Sequence, residues 1–155
     1  MTYRIEGLKP EPFRPLFVMN EAELASRNAR LAVADREGGY PCRVSLQDAA
    51  PGDRLLLVSH VSHDVQTPFR TRYAIYVREK ADRPASFEDE VPTYLDRRTL
   101  GLRGYDSAGM LRAAALAMPG EADFRIRELL GEARVATIHA HNAAHGCFLA
   151  RVERN

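Results

Sequence analysis

The sequence has 155 residues, the size of one domain, and its charge is nearly balanced between 22 basic and 21 acidic residues. A chain of this length buries roughly two thirds of its extended-chain surface, so it can form a core without a disulfide scaffold or a structural metal. A net charge of +1 gives no long-range attraction for nucleic acid or an anionic membrane, and we therefore expect neither as a partner.

The cysteine content and the start of the chain indicate the compartment. Cys42 and Cys147 are the only cysteines, too few for a disulfide framework. Residues 1–7 contain no apolar signal segment, and no apolar run reaches membrane-spanning length. We therefore expect a single domain over residues 1–155 in a reducing cytoplasm, with both thiols free. The excess of arginine and alanine is typical of a GC-rich bacterial genome.

The first half of the chain predicts short strands and one capped helix. Asn20 and Glu23 have the spacing of a capping box, which predicts a short helix that continues to about residue 28. The apolar run 55–58 follows a Pro-Gly-Asp turn and predicts a central strand buried on both faces. Further segments are predicted as follows: strands over 2–7, 31–33, 42–46 and 73–78, one helical turn within 13–19, and loops over 61–71 and 80–92.

The second half predicts two hairpins separated by a helix. Residues 100–105 and 110–117 flank a turn at 106–109; the second arm is rich in alanine, which favours helix by propensity, but the hairpin pattern favours a strand. Apolar residues at 122, 126, 129 and 130 predict an amphipathic helix, and 135–141 and 147–152 predict the closing strands. The predicted order of strands and helices lacks regular βαβ alternation. It predicts an α+β fold with a predominantly antiparallel or mixed sheet of about six to eight strands and two or three short packed helices.

The closing hairpin places candidate functional side chains together. Alternation along a strand puts His139 and His141 on one face. Burying the apolar residues of both arms together predicts that Ala140 pairs with Phe148 and that His141 lies directly opposite Cys147. Directly opposed residues have Cβ atoms about 4.5–5.5 Å apart, so this register predicts a contact between the thiol and the imidazole.

Three kinds of site suit this hairpin. His141 could act as a base that activates Cys147 as a nucleophile. His139 and His141 with a nearby thiol could hold zinc or another soft divalent metal, although no third and fourth ligands are evident. Imidazole and guanidinium groups could instead orient a small anionic ligand. The same residues also fit an ordinary core, because cysteine is among the most buried residue types.

Other segments contribute candidate binding residues. Arg43 follows Cys42, and its guanidinium could bind a carboxylate or phosphate or form an internal ion pair. Arg103 and Tyr105 share one face of their strand. His60 and His63 are expected in a polar loop, where a solvent-exposed role is favoured over a metal ligand, and His145 is expected in the hairpin turn.

The leading hypothesis is a small cytoplasmic protein with a polar pocket of Cys, His and Arg side chains. As an enzyme, thiol- or metal-dependent, it would use Cys147 and His141 as catalytic groups on a small substrate. The substrate-binding candidates are Cys42, Arg43, His139, Asn142, Arg103 and Tyr105. The alternative is a non-catalytic module that binds a small anionic ligand or a protein partner. No phosphate-binding glycine loop, nucleophile elbow or Cys-x-x-Cys motif is present, which removes the common nucleotide and hydrolase interpretations.

Four blocks of residues, in order over nearly the whole chain, carry a family resemblance: Pro41 to Leu46 with Asp48, Ala49 and Gly52; Ile75 to Glu79; Leu102, Arg103, Tyr105, Asp106, Gly109 and Met110; and His139, His141 to Ala143, Gly146, Cys147, Arg151 and Val152. On these blocks the chain resembles a bacterial family known as domain of unknown function 1203. The resemblance implies a self-contained bacterial domain. It implies no activity, and no catalytic role is carried over to any residue.

Overall fold

The computed structural model describes residues 1–155 as two β-sheets with three short α-helices and one 3-10 helix. The helices are the 3-10 helix (Arg14–Val18), α1 (Glu21–Ser26), α2 (Thr93–Asp96) and α3 (Ala122–Gly131). The strands are β1 (Tyr3–Glu6), β2 (Ala29–Val33), β3 (Pro41–Cys42), β4 (Gln47–Asp48), β5 (Arg54–His63), β6 (Thr71–Arg78), β7 (Ser86–Glu88), β8 (Leu100–Tyr105), β9 (Leu111–Ala117), β10 (Thr137–Asn142) and β11 (Phe148–Arg154).

The strands form a six-stranded sheet in the order β7-β1-β11-β10-β8-β9 and a five-stranded sheet in the order β2-β5-β6-β3-β4. All pairs are antiparallel except β3 with β6. The predicted α+β class with a mostly antiparallel or mixed sheet is therefore confirmed. The eleven strands exceed the six to eight that were predicted. Three of them, β3, β4 and β7, have only two or three residues each, too few for an alternating apolar pattern to predict them.

The main core lies between one face of the six-stranded sheet and α3. Helix α3 buries Ala122, Ile126, Leu129 and Leu130 against this face, as the spacing predicts. A second apolar cluster belongs to the five-stranded sheet and includes Leu56 of its central strand β5. Each sheet thus has its own core, and the other face of the six-stranded sheet is left for polar side chains.

Local sequence signals are confirmed at several elements. The Asn20 side chain accepts a hydrogen bond from the amide of Glu23 at 2.9 Å, and the Glu23 carboxylate accepts one from the amide of Asn20 at 2.9 Å. This is the predicted capping box of α1. The alanine-rich arm β9 is a strand, since pairing with β8 and burial of alternate residues override its helical propensity.

Three segment predictions are wrong. Of the predicted strand 42–46, only Cys42 belongs to a strand, β3; the chain then turns, and Leu46 has a φ of 49°. The predicted loop 61–71 belongs partly to β5, which continues to His63 because β6 pairs with its whole length. The predicted loop 80–92 contains β7, which pairs with β1. In the last two cases the segments lack an alternating apolar pattern, but pairing with a neighbouring strand supplies hydrogen-bond partners for their backbone N–H and C=O groups.

No helix of the protein is both long and apolar enough to span a membrane.

Candidate functional site

The closing hairpin has a different register from the one predicted. Ala140 pairs with Ala150 and His139 with Arg151, while His141 pairs with Phe148 across an irregularity between Ala140 and His141. The predicted pairs of Ala140 with Phe148 and of His141 with Cys147 are therefore wrong. From Thr137 to Ala140 the register differs from the predicted one by two residues, and a β-bulge that leaves Leu149 without a partner changes it by one residue beyond Ala140.

The bulge decides which side chains share a face. Phe148 contacts the rings of His139 and His141, with ring centroids 5.3 and 6.0 Å apart, instead of joining the apolar face. Leu149 packs into the main core instead of Phe148. Directly opposed residues share a face, which defines the surface that we call the histidine face. It carries Gly101, Arg103 and Tyr105 of β8, Thr137, His139 and His141 of β10, and Phe148, Arg151 and Glu153 of β11.

The end of β5 covers part of the histidine face. His63 stacks on Tyr105 with ring centroids 3.9 Å apart and contacts His139 edge-on at 5.0 Å. The His63 Nε2 lies 3.0 Å from the carbonyl oxygen of Gly109 in the β8–β9 turn, so this nitrogen carries the proton and donates. His63 is only 6% exposed, so its predicted solvent-exposed position is wrong. The histidine face is the place where the two sheets meet.

The two histidines of β10 are buried and each has a ring nitrogen without a partner. His139 is 3% exposed and His141 is 1% exposed. The His141 Nδ1 lies 3.0 Å from the carbonyl oxygen of Gly146, whereas its Nε2 is buried without any hydrogen bond, and so is the Nδ1 of His139. Buried polar atoms in proteins are nearly always paired, so two unpaired ring nitrogens on one face make this face a candidate binding site.

Burial keeps both imidazoles neutral. It lowers the pKa of His139 to about 3, and the nearby His63, His141, Arg151 and Arg103 lower this pKa further because each disfavours a positive charge on the ring. Burial also lowers the pKa of His141 to about 4, with Arg103 and Arg43 assisting and the hydrogen bond to the Gly146 carbonyl opposing. Arginine side chains thus lie close enough to both rings to disfavour their protonation.

Arg43 connects the two sheets. It lies in the turn after β3, is 2% exposed, and donates from Nε to the carbonyl oxygen of Phe148 at 2.7 Å and from Nη1 to that of Pro41 at 2.6 Å. Its Nη2 lies 3.1 Å from the Sγ of Cys147. None of the fifteen ion pairs of the protein includes Arg43. The predicted alternative of an internal ion pair is therefore wrong: the guanidinium is internal, but its partners are carbonyls and a thiol.

Arg103 is a second arginine without an acidic partner. It is half-buried, lies directly opposite His139 in the pairing of β8 with β10, and takes part in no ion pair. Most arginines of this protein are paired with carboxylates, including Arg151 with Glu153 on the neighbouring strand. Arg103 thus presents a guanidinium without a counter-ion beside two neutral imidazoles.

Open space lies over Gly101, on the same strand as Arg103. Gly101 is directly opposite His141 and two residues before Arg103 on the same face. A Cβ at Gly101 would meet no heavy atom within 4 Å. A glycine inside a strand often marks a place where a ligand or backbone approaches closely. The sequence shows the glycine, but only the register of β8 places it beside His141.

A cleft of about 420 Å³ opens on the other side of His139. Its wall includes Ser62, whose hydroxyl is buried without a hydrogen bond. The cleft also contains the carboxylates Asp64, Asp106 and Glu153, each of which is paired with an arginine. These carboxylates make the cleft less favourable for an anion than the space at Arg103.

Two predicted site residues have other uses in the structure. The Cys42 thiol is fully buried in the core of the five-stranded sheet and accepts backbone hydrogen bonds from Ser45 at 3.5 Å and Arg78 at 3.3 Å. The Asn142 side chain accepts from the backbone amides of Ala144 and His145, each at 3.0 Å, within the hairpin turn. The remaining candidates lie on or beside the histidine face.

The thiol and the imidazole of the predicted catalytic pair are not hydrogen-bonded. The His141 Nδ1 contacts Gly146, its Nε2 has no partner, and the Cys147 thiol contacts Arg43. No group of three or more His, Cys, Asp or Glu side chains lies in an arrangement that could hold a metal ion. The metal hypothesis therefore gains no ligand set from the structure.

The fold and the site together define an α+β domain of two sheets, with buried histidines and unpaired arginines where the sheets meet. The family model described as Protein of unknown function (DUF1203) matches residues 39–154. The chain belongs to this family, which confirms the resemblance seen in the sequence. The matched region includes the whole histidine face as well as Arg43 and His63. No curated protein and no solved structure matches the chain.

Proposed function

We propose that this domain binds a small anionic ligand on the histidine face, with Arg103 as the anchoring residue. One observation carries the proposal: Arg43 and Arg103 border two buried neutral imidazoles, and neither guanidinium has a carboxylate partner. An unpaired positive charge in a site of low polarity is costly, and an anionic ligand would offset this cost.

The two arginines differ in what they offer a ligand. Arg43 already uses donors on two carbonyls and the Cys147 thiol, so it contributes mainly its charge. Arg103 has no counter-ion, and a guanidinium matches the geometry of a carboxylate or phosphate through two parallel hydrogen bonds. The anionic group of the ligand therefore belongs beside Arg103.

The space favours a small ligand. The open region above Gly101 is bounded by His141 on the neighbouring strand and by Arg103 two residues along the same strand. Side chains in such diagonal positions are roughly 7–8 Å apart, which suits a carboxylate or phosphate compound of a few atoms. Both cysteines are free, and we expect the domain to act in a reducing compartment such as the cytoplasm.

The proposal is tested by calorimetric titration with inorganic phosphate. We expect Arg103→Gln to weaken binding roughly 10- to 100-fold, because a hydrogen bond to a charged group contributes about 1.5–3 kcal/mol. Arg30→Gln is the matched control, since Arg30 is an exposed arginine of the other sheet. Equal phosphate affinity in the wild type and in both variants would contradict the proposal, as would the absence of binding by the wild type.

The contact between Arg43 and Cys147 supports a second candidate, a thiol-dependent enzyme with Cys147 as nucleophile. A neighbouring cation favours the reactive thiolate. However, Cys147 is only 8% exposed, and no hydrogen bond joins it to His141 as the base.

We expect iodoacetamide to alkylate native Cys147 slowly and Cys42 only after unfolding. Rapid alkylation of Cys147 at neutral pH would favour the enzyme over the binding module.

A further inference from the structure

We propose that the ligand is an anion that carries its own O–H donor, such as hydrogen phosphate or a small hydroxy-carboxylate. This inference rests on the proposed function and names the class of ligand for the same site. It comes from the protonation state of His141: this side chain offers a hydrogen-bond acceptor, whereas Arg103 offers donors.

The Gly146 carbonyl determines the tautomer of His141. A carbonyl oxygen can only accept a hydrogen bond, so the contact of 3.0 Å to the His141 Nδ1 requires a proton on Nδ1. The ring is buried among positive charges and is therefore neutral. In a neutral imidazole with a proton on Nδ1, Nε2 carries a lone pair and is an acceptor.

No protein group donates to this lone pair. The His141 Nε2 is sealed from solvent and forms no hydrogen bond. A buried acceptor without a donor is unfavourable, and a donor on the ligand would remove this cost. The open space over Gly101 lies directly opposite His141, and a ligand placed there reaches Nε2 once the side chains that cover this nitrogen move apart.

A fully deprotonated oxyanion fits this arrangement poorly. Its oxygens satisfy the Arg103 guanidinium, but any oxygen that approaches the His141 Nε2 brings two lone pairs together. An anion with one hydroxyl group satisfies both residues: its charged oxygens accept from Arg103 and its O–H donates to Nε2. The histidine face therefore selects for the proton on the ligand as well as for its negative charge.

Two matched pairs of compounds test this selection by calorimetry at neutral pH. Phosphate carries a proton and sulfate does not; lactate has a hydroxyl group that propionate lacks. We expect the wild type to prefer the protic member of at least one pair roughly tenfold or more, because an unpaired buried acceptor is left in the other complex. The pair with the larger preference distinguishes a phosphate from a hydroxy-carboxylate ligand.

His141→Gln supplies the matched variant, because a side-chain amide offers both a donor and an acceptor. We expect the preference to fall below about threefold while Arg103 still binds the anions. Equal binding of both members of each pair by the wild type would overturn this inference and leave the proposed anion site intact. If none of the four compounds binds the wild type, the proposed function itself fails. The wild-type comparison remains decisive if His141→Gln does not fold.

Discussion

The Arg43→Ala variant is expected to lose about 3–5 kcal/mol of the free energy of unfolding. Arg43 is one of the largest fully buried side chains and lies between the two sheets. Its removal leaves the Pro41 and Phe148 carbonyl oxygens without these donors and opens a cavity. Each unsatisfied buried acceptor costs about 1–3 kcal/mol, and the cavity adds to this cost.

Urea unfolding of the wild type and of the Arg43→Ala, Arg43→Met and Arg30→Ala variants separates the causes. Arg43→Met retains most of the volume but none of the hydrogen bonds, and we expect its stability to lie between those of the wild type and Arg43→Ala. The exposed Arg30 provides the control, because surface substitutions usually change stability by less than about 0.5 kcal/mol. A loss of less than about 1 kcal/mol in Arg43→Ala would show that the sheets do not depend on this side chain.

The free energy of unfolding is expected to fall steeply as the pH decreases from 6.5 to 5. In the unfolded chain both histidines of β10 take up protons at the ordinary pKa of 6.5. In the folded protein the pKa is about 3 for His139 and about 4 for His141. The unfolded state therefore binds more protons below pH 6.5. Each histidine then removes about 1.4 kcal/mol per pH unit, or about 4 kcal/mol for the pair at pH 5.

The sign of this effect is fixed by the direction of the pKa shifts. Stability contributed by the neutral rings is fully present above pH 6.5, is lost as the pH falls, and levels off below the folded pKa values. Urea unfolding at pH 7, 6 and 5 measures the slope, which His139→Gln should reduce by about half. His145→Gln, at an exposed turn position, is the control and should retain the wild-type slope. A flat profile in the wild type between pH 7 and 5 would contradict buried neutral histidines.

Local signals in the sequence were sufficient to predict most elements of the fold. The capping box at Asn20 and the apolar spacing of α3 depend on residues within a few positions of one another. The turn at Asp106, where the side chain accepts from the amides of Ala108 and Met110 at 2.9 Å each, is local as well. The division into two sheets could not be predicted, because it depends on pairings such as β1 with β11 between the two ends of the chain.

The candidate site could be predicted only in part. Alternation correctly placed His139 and His141 on one face, and likewise Arg103 and Tyr105. The bulge after Ala140 could not be foreseen from apolar patterning, which favours the regular register. The contact of Arg43 with Cys147 joins residues 104 positions apart, and no local pattern specifies it.

The most direct test of the anion site is a long-range ¹H–¹⁵N spectrum of the histidine side chains during titration with phosphate. This measurement reports the protonation of each imidazole nitrogen and the location of the ligand together. We expect free His141 to carry its proton on Nδ1, and we expect phosphate to shift the His141 Nε2 resonance to saturation while the resonances of exposed His145 stay unchanged. A proton on the Nε2 of free His141, or shifts confined to His145, would contradict an anion site beside His141.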